Sequence, residues 1–480
     1  MNLSDAMSHP KKPAMVLFRV LIALTTAICI APAFAVTPDE ARHLLHRTGF
    51  GVSDAQWQSI IDLDYDAAVN KLVDDAARGG AIKPPDWVDD KPMWTIKQRG
   101  WTEDQRRELR IKKRVKIEDL RNSWIVQMLA TPTPLQDRMT LFWSNHFTTQ
   151  YSKSFAPMLM HQQNELLRGH SLGRFDHMLL DVLRDPLMLL YLDNVKNRAN
   201  SVNENLAREL MELFTMGEGH YSERDVKEAA RCLTGWGVDR DTGAFRIFRK
   251  NHDSSRKTVL GKSGKFDGDD LARLLLKQAA TSERVVRKLW LEFVSMEPDA
   301  AIVQKWAVEF RENDYEIASL LKTIFKSPQF RAKEHRGVLI KSPVELFVGL
   351  MRPALDGLNE NQVRARLEAV PAGKRLSQLL KNAGQQLFEP PSVEGWPGGL
   401  EWIDSRTLLS REHTARNLVM GLSPKDMANN PYVFPEGDSK WNRRRVAHLN
   451  ALDPVTDMPA AHKRQRLLLE LILDPVVHVK

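Results

Sequence analysis

The 480-residue chain carries 69 Lys plus Arg against 61 Asp plus Glu, a formal charge of +8, with 42% hydrophobic and 27% charged residues. Mixed charge and ample apolar content exclude a wholly disordered chain and allow a large buried core, with a length prior of roughly two or three domains. Only Cys29 and Cys232 are present, which excludes a disulfide scaffold.

The first element is a leader. Lys11, Lys12 and Arg19 precede the apolar run Val20 to Ala31, and Ala33-Phe34-Ala35 supplies a small-x-small cleavage pattern. A spanning helix needs about 20 apolar residues, and this run has twelve before Pro32. Ile28 ahead of Cys29 is too large for a lipid-attachment signal. Cleavage after Ala35 is therefore expected, with periplasmic or secreted delivery and no membrane span afterwards. It removes three basic residues and Asp5, so the charge falls from +8 to +6 over 445 residues and only Cys232 stays. The remaining positive charge suits an anionic polymer such as a polysaccharide, or a membrane surface, whereas export argues against nucleic acid. Interleaved acids make the basic run Arg106 to Lys116 a solvated helix face.

Helical periodicity then dominates. Helices are expected over 38–47, 55–75, 104–130, 156–169, 203–216, 268–295, 299–331, 342–356, 360–383 and 406–421. Thr133-Pro134-Leu135-Gln136 reads as a capping box opening a further helix to about Phe147. Ser222 to Asp225 opens one through Leu233 in the same way. Strand signals are few: a hairpin is expected within 240–262, with Asp241-Thr242-Gly243 as its turn and Lys257 to Leu260 returning. Stretches 77–96, 385–404 and 424–442, rich in Pro, Gly and Trp, read as ordered loops. The expected class is mainly α, a multi-helical globular protein with long ordered loops and at most a small β-hairpin. The expected units are a leader (1–35), an N-terminal helical region (36–239), a hairpin with a C-terminal helical region (240–425) and a tail (426–480).

Common catalytic signatures fail on inspection. Gly261-Lys262-Ser263 lacks the glycine a phosphate loop needs, since Arg256 stands there, and neither H-E-x-x-H nor G-x-S-x-G occurs. Cys232 falls within a helix and reads as buried and inert. The 203–216 helix is richer. At 100° per residue, Glu204, Asn205, Arg208, Glu209 and Glu212 share an arc of about 140°. They form either a solvated face braced by the i,i+4 pairs Glu204/Arg208 and Arg208/Glu212 or a set that could hold a hard cation or supply an acid and a base. His146 falls on the apolar side of its helix, as a core histidine or as a partner for Glu209 or Glu212. His252-Asp253 could orient an imidazole or form an Asx-turn. His43 and His46 lack a third metal ligand nearby.

Six blocks taken together resemble a bacterial domain-of-unknown-function family, number eighteen hundred. They are Ala41 to Gly51, Phe142-Trp143-Ser144-Asn145-His146-Phe147, Asn203 to Thr215, Tyr221 to Trp236, His252-Asp253 with Lys257-Thr258 and Gly261, and Pro390 to Gly399. The resemblance spans about 39–421. It implies a largely helical, exported protein, often encoded beside a second family resembling phosphatases and sulfatases, which would make such a secreted protein a partner. His46 stands where an Arg or Asn is more usual. By carry-over, His146, Glu209, Glu212, His252 and Asp253 become catalytic candidates. Asn145, Glu204, Asn205, Arg208, Asp225, Arg231 and Trp396 become substrate-binding candidates. A divalent metal is the cofactor such a set could hold. Two functions follow: an extracytoplasmic enzyme acting on surface or extracellular polymers, including a metal-assisted hydrolase, or a non-catalytic binding or assembly partner.

Overall fold

The computed structural model describes residues 35–80, 84–88, 100–369, 376–420, 450–455 and 474–480. The leader expected before Ala35, most of the 77–96 stretch and all of 424–442 lie outside the described residues. Among those described, twenty α-helices, one π-helical stretch and two antiparallel hairpins make a mainly α protein. None of these helices is long and apolar enough to cross a membrane.

Local chemistry explains most helix starts. Full capping boxes pair Thr37 with Glu40, Thr102 with Gln105, Ser222 with Asp225, Asp267 with Asp270 and Ser342 with Glu345. The expected box at Thr133 does not form. Gln136 is buried with its side-chain oxygen against Gly79, and the Thr133 N–H donates to Thr131 Oγ1 instead. Pro134 alone then sets the first turn of Pro134–His146.

Several long expected helices are broken. The 55–75 stretch becomes Asp54–Ile60 and Tyr65–Ala77, restarted by Asp64, whose side chain caps Ala67 N–H at 2.8 Å. The 268–295 stretch becomes Gly268–Leu276 and Ala279–Phe293. The 299–331 stretch becomes Ala300–Glu312, Ile317–Lys326 and Pro328–Arg331, with Asp314 and Tyr315 turning at φ of 50° and 60°. The apolar spacing runs on through these turns, so periodicity alone does not mark them. Helices Tyr151–Ser154, Phe175–Arg184 and Pro186–Tyr191 are additional.

The strands form two hairpins instead of one. Trp236–Val238 pairs with Phe245–Ile247 around the expected 241–243 turn. Lys257–Val259 pairs instead with Lys262–Gly264. Leu260 and Gly261, at φ of 48° and 73°, supply the left-handed pair that a two-residue turn requires.

Buried apolar side chains form two cores. The first joins elements from Val36 to Phe330 and the second joins Phe50, the 117–129 segment and residues from Val344 to Val477. Helix Pro134–His146 lies between them, giving Leu135, Met139 and Trp143 to the first and Leu141 to the second. Its C-terminal half borders the cavity described next.

Candidate active site at the seam between the cores

A cavity of about 400 Å³ opens at this seam, within the range of small-molecule sites. Helix Pro134–His146 contributes Arg138, Phe142, Asn145 and His146, helix Ala279–Phe293 contributes Lys288 and Glu292, and the 390–402 loop contributes Glu394, Trp396 and Trp402. Ser342, Glu345 and Lys480 complete one side.

Asn145 holds the loop. Its Oδ1 accepts from Trp396 N–H at 2.6 Å and its Nδ2 donates to Trp396 C=O at 3.2 Å. Gly395 makes this approach possible: it sits at φ +98°, and a Cβ there would lie 2.2 Å from Asn145 Oδ1. Trp396 is consequently fixed as a wall of the cavity.

His146 is buried among Phe142, Trp143, Phe147, Phe175 and Phe214. Its Nε2 lies 3.1 Å from the Phe214 carbonyl and its Nδ1 lies 3.0 Å from Lys288 Nζ. A carbonyl only accepts, so Nε2 carries the proton and Nδ1 presents a lone pair to Lys288. Burial, followed by the charges of Lys288 and Arg284, holds this imidazole far below its ordinary range. It is neutral at physiological pH.

Lys288 is the unusual cation. It makes no ion pair among the described residues, and its hydrogen-bond partner there is His146. Burial and the Arg284 guanidinium bring its amine down to about 7, opposed in part by Glu394. The other cavity cations are occupied. Arg138 pairs with both Glu292 and Glu345, and Lys480 Nζ contacts the same two carboxylates. Glu345 also accepts the Ser342 N–H of its own capping box at 2.7 Å, so a helix cap and a buried charge cluster share one carboxylate.

The acidic helix is positioned differently from an ideal wheel. Residues Asn205–Glu209 are α-helical, but Leu210–Thr215 widen into a π-helix, a local form that recurs at functional sites. The Thr215 hydroxyl donates to Leu210 C=O at 2.6 Å, five residues back. The widened turn's carbonyls are also engaged from outside: Arg284 Nε donates to Leu213 O at 3.0 Å and His146 to Phe214 O. The expected Arg208–Glu212 pair is replaced. Arg208 grips Glu223 through two 2.7 Å contacts and Glu204 at 3.3 Å, while Glu212 accepts from Tyr221 OH at 3.1 Å. Asn205 is exposed at the helix start, with its N–H on Asn203 Oδ1. Glu209 is half-buried and is raised above the usual carboxylate range by burial and by Glu212, with Glu394 adding to the effect.

The remaining candidates form a separate cluster beside the hairpins. Arg231 binds Asp253 at 2.8 Å, Glu228 at 2.7 Å and the Ser255 hydroxyl. Burial alone would raise the Asp253 carboxyl, but these partners outweigh it and hold it far below the usual range. His252 Nδ1 meets the Thr234 carbonyl at 2.8 Å. Asp225 caps its own helix and accepts Leu260 N–H at 2.7 Å. Lys257, 1% exposed, donates to the carbonyls of Asp253, Ser255 and Phe266. These groups brace the second hairpin onto helix Glu223–Cys232 and do not line the cavity above.

The sequence candidates thus separate into Asn145, His146 and Trp396 on the cavity, Glu204 to Glu212 behind it, and Asp225, Arg231, His252 and Asp253 elsewhere. Among the described residues, no group of three or more His, Cys, Asp or Glu side chains could hold a metal ion. Sequence reasoning passed over Lys288, whose i,i+4 spacing from Glu292 is that of an ordinary surface ion pair and carries no motif. Glu292 turns instead to Arg138. Glu394 was inside a recognised block, and Ser342-Pro343-Val344-Glu345 was readable as a capping box.

Among curated proteins and among solved structures, no match to the chain was found. Over residues 43–475 it matches the model of the family described as protein of unknown function (DUF1800), and the chain belongs to that family.

Proposed function

We propose that this protein is an exported enzyme whose active site is the cavity at the seam and whose working group is the Lys288 amine. The observation that carries the reading is the environment of that amine: it borders a cavity, meets a neutral imidazole nitrogen, and has no carboxylate in ion-pair contact among the described residues. With its pKa brought down to about 7, a substantial fraction is free base at neutral pH, able to take a proton or attack an electrophile. His146 orients the amine without competing for its proton. Glu394 is the nearby carboxylate available to exchange protons with substrate. Export rests on the leader pattern of residues 1–35 and places the substrate among surface or extracellular polymers.

The test incubates purified protein with cell-wall and extracellular polysaccharide fractions and follows soluble product by mass spectrometry. Product formation by wild type and its loss in Lys288→Met, with an unchanged circular dichroism spectrum, supports the reading. Equal product from both proteins, or a Lys288 that titrates near 10 by NMR, overturns it.

A further inference from the structure

Resting on the assignment of the cavity as the active site, we infer that Lys288 forms an imine with an aldehyde or ketone bound between the two cores. Three features of the geometry favour covalent capture of a carbonyl. The amine has an acceptor, His146 Nδ1 at 3.0 Å, that fixes one N–H and leaves the nitrogen lone pair for the cavity. The neighbouring Arg284 guanidinium is tied to Leu213 O, so it supplies positive charge without occupying the amine. Placing a lysine near a second cation in a desolvated site is a recognised way of making a nucleophilic amine. Phe142, Trp396 and Trp402 also line the cavity and provide apolar walls for the carbon skeleton of the ligand.

The step balances. The Nζ lone pair attacks the carbonyl carbon, a C–N bond forms, and the carbonyl π electrons move to oxygen. Two N–H protons leave the nitrogen, with Glu394 as the relay. The oxygen gains both and departs as water while the C=N bond forms. The net change is amine plus carbonyl to imine plus water, with no oxidant or reductant. Hydrolysis reverses it and frees the amine.

The experiment uses benzaldehyde, an uncharged aromatic carbonyl, with sodium cyanoborohydride on the purified protein at pH 7, followed by peptide mapping over time. Hydride converts an imine to a stable secondary amine. Lys288 is expected to be labelled ahead of the surface lysines, since an amine titrating near 7 is half free base at pH 7, about a thousand-fold more than an ordinary lysine. Labelling should saturate with benzaldehyde and disappear from that peptide in Lys288→Arg. Label spread over surface lysines, with Lys288 no faster, overturns the imine. A parallel reaction with fluorodinitrobenzene separates the two claims. Rapid Lys288 arylation without a benzaldehyde adduct rejects the imine and leaves the working amine standing, whereas failure of both rejects both. The labelling rate, its saturation and the arylation are read on wild-type protein, so they hold even where Lys288→Arg does not fold.

Discussion

Replacing Asn145 tests how the cavity wall is held. In Asn145→Ala, Trp396 loses the acceptor of its N–H and the donor to its C=O, contacts of 2.6 and 3.2 Å. Each hydrogen bond contributes about 1 kcal/mol net, and stranding the partly buried backbone groups adds to the loss, so the expected cost is about 2–3 kcal/mol. Asn145→Asp keeps the acceptor but sets a carboxylate oxygen against the Trp396 carbonyl. It should cost at least as much at pH 7 and approach wild type when acid restores a donor. Gly395→Ala attacks the same contact from the other side, through its φ of +98° and the 2.2 Å approach to Asn145 Oδ1. The double variant should be milder than the sum of the singles, because removing Asn145 relieves that collision. Urea unfolding followed by tryptophan fluorescence gives each free energy. An Asn145→Ala protein within about 0.5 kcal/mol of wild type, or strictly additive behaviour with Gly395→Ala, would refute the clamp.

Three further outcomes are expected. Lys288→Met should raise stability most below pH 7: the native amine titrates near 7 and the unfolded one near 10.5, so wild type regains stability between those values, and the gap should narrow by more than about 1 kcal/mol in urea titrations at pH 6 and 10. Burial would raise Glu345, but Arg138 and Lys480 outweigh it and hold it down to about 2. Its contribution is therefore present above about pH 4.5 and lost toward pH 2; Glu345→Gln should flatten that acid limb, and Glu345→Ala should cost about 3–5 kcal/mol by leaving two buried cations to share Glu292 alone. Asp185, buried as the cap of Pro186–Tyr191, is raised by that burial to about 7 despite hydrogen bonds from Met188, Gln163 and Leu187. Its neutral form favours the fold at pH 4, and this is lost as pH rises through 7, so Asp185→Asn should gain more than about 1 kcal/mol on wild type between pH 4 and 8 in thermal or urea unfolding.

How much of this was visible beforehand depended on whether the signal was local. Ser222 to Asp225 predicted its helix start because the box closes within one turn, and the 241–243 turn formed where its residues placed it. Long-range competition defeated the other local readings. Gln136 had a second destination against Gly79, and Lys257 to Val259 had a closer strand across Leu260-Gly261. The acidic helix failed for a different reason. A 100° wheel assumes constant pitch, and the π-turn at Leu210–Thr215 changes the phase between Arg208 and Glu212. Nothing in the composition of that segment marks the wider turn.

That π-turn also explains why three separated sequence blocks meet without forming the carboxylate and histidine cluster expected of them. His146 uses its Nε2–H on Phe214 O, inside the widened turn, and leaves Nδ1 for Lys288. Asn145, its neighbour, is committed to Trp396 in the 390–399 loop. One dipeptide therefore faces two ways, the histidine toward the first core and the asparagine toward the loop over the second. Glu209 and Glu212 do not line the cavity, and their charges interact with Glu394 and Arg284 respectively. On the proposed reading, the chemistry available at the seam is that of an amine tuned by its surroundings, and it centres on Lys288, a residue the sequence motifs do not single out.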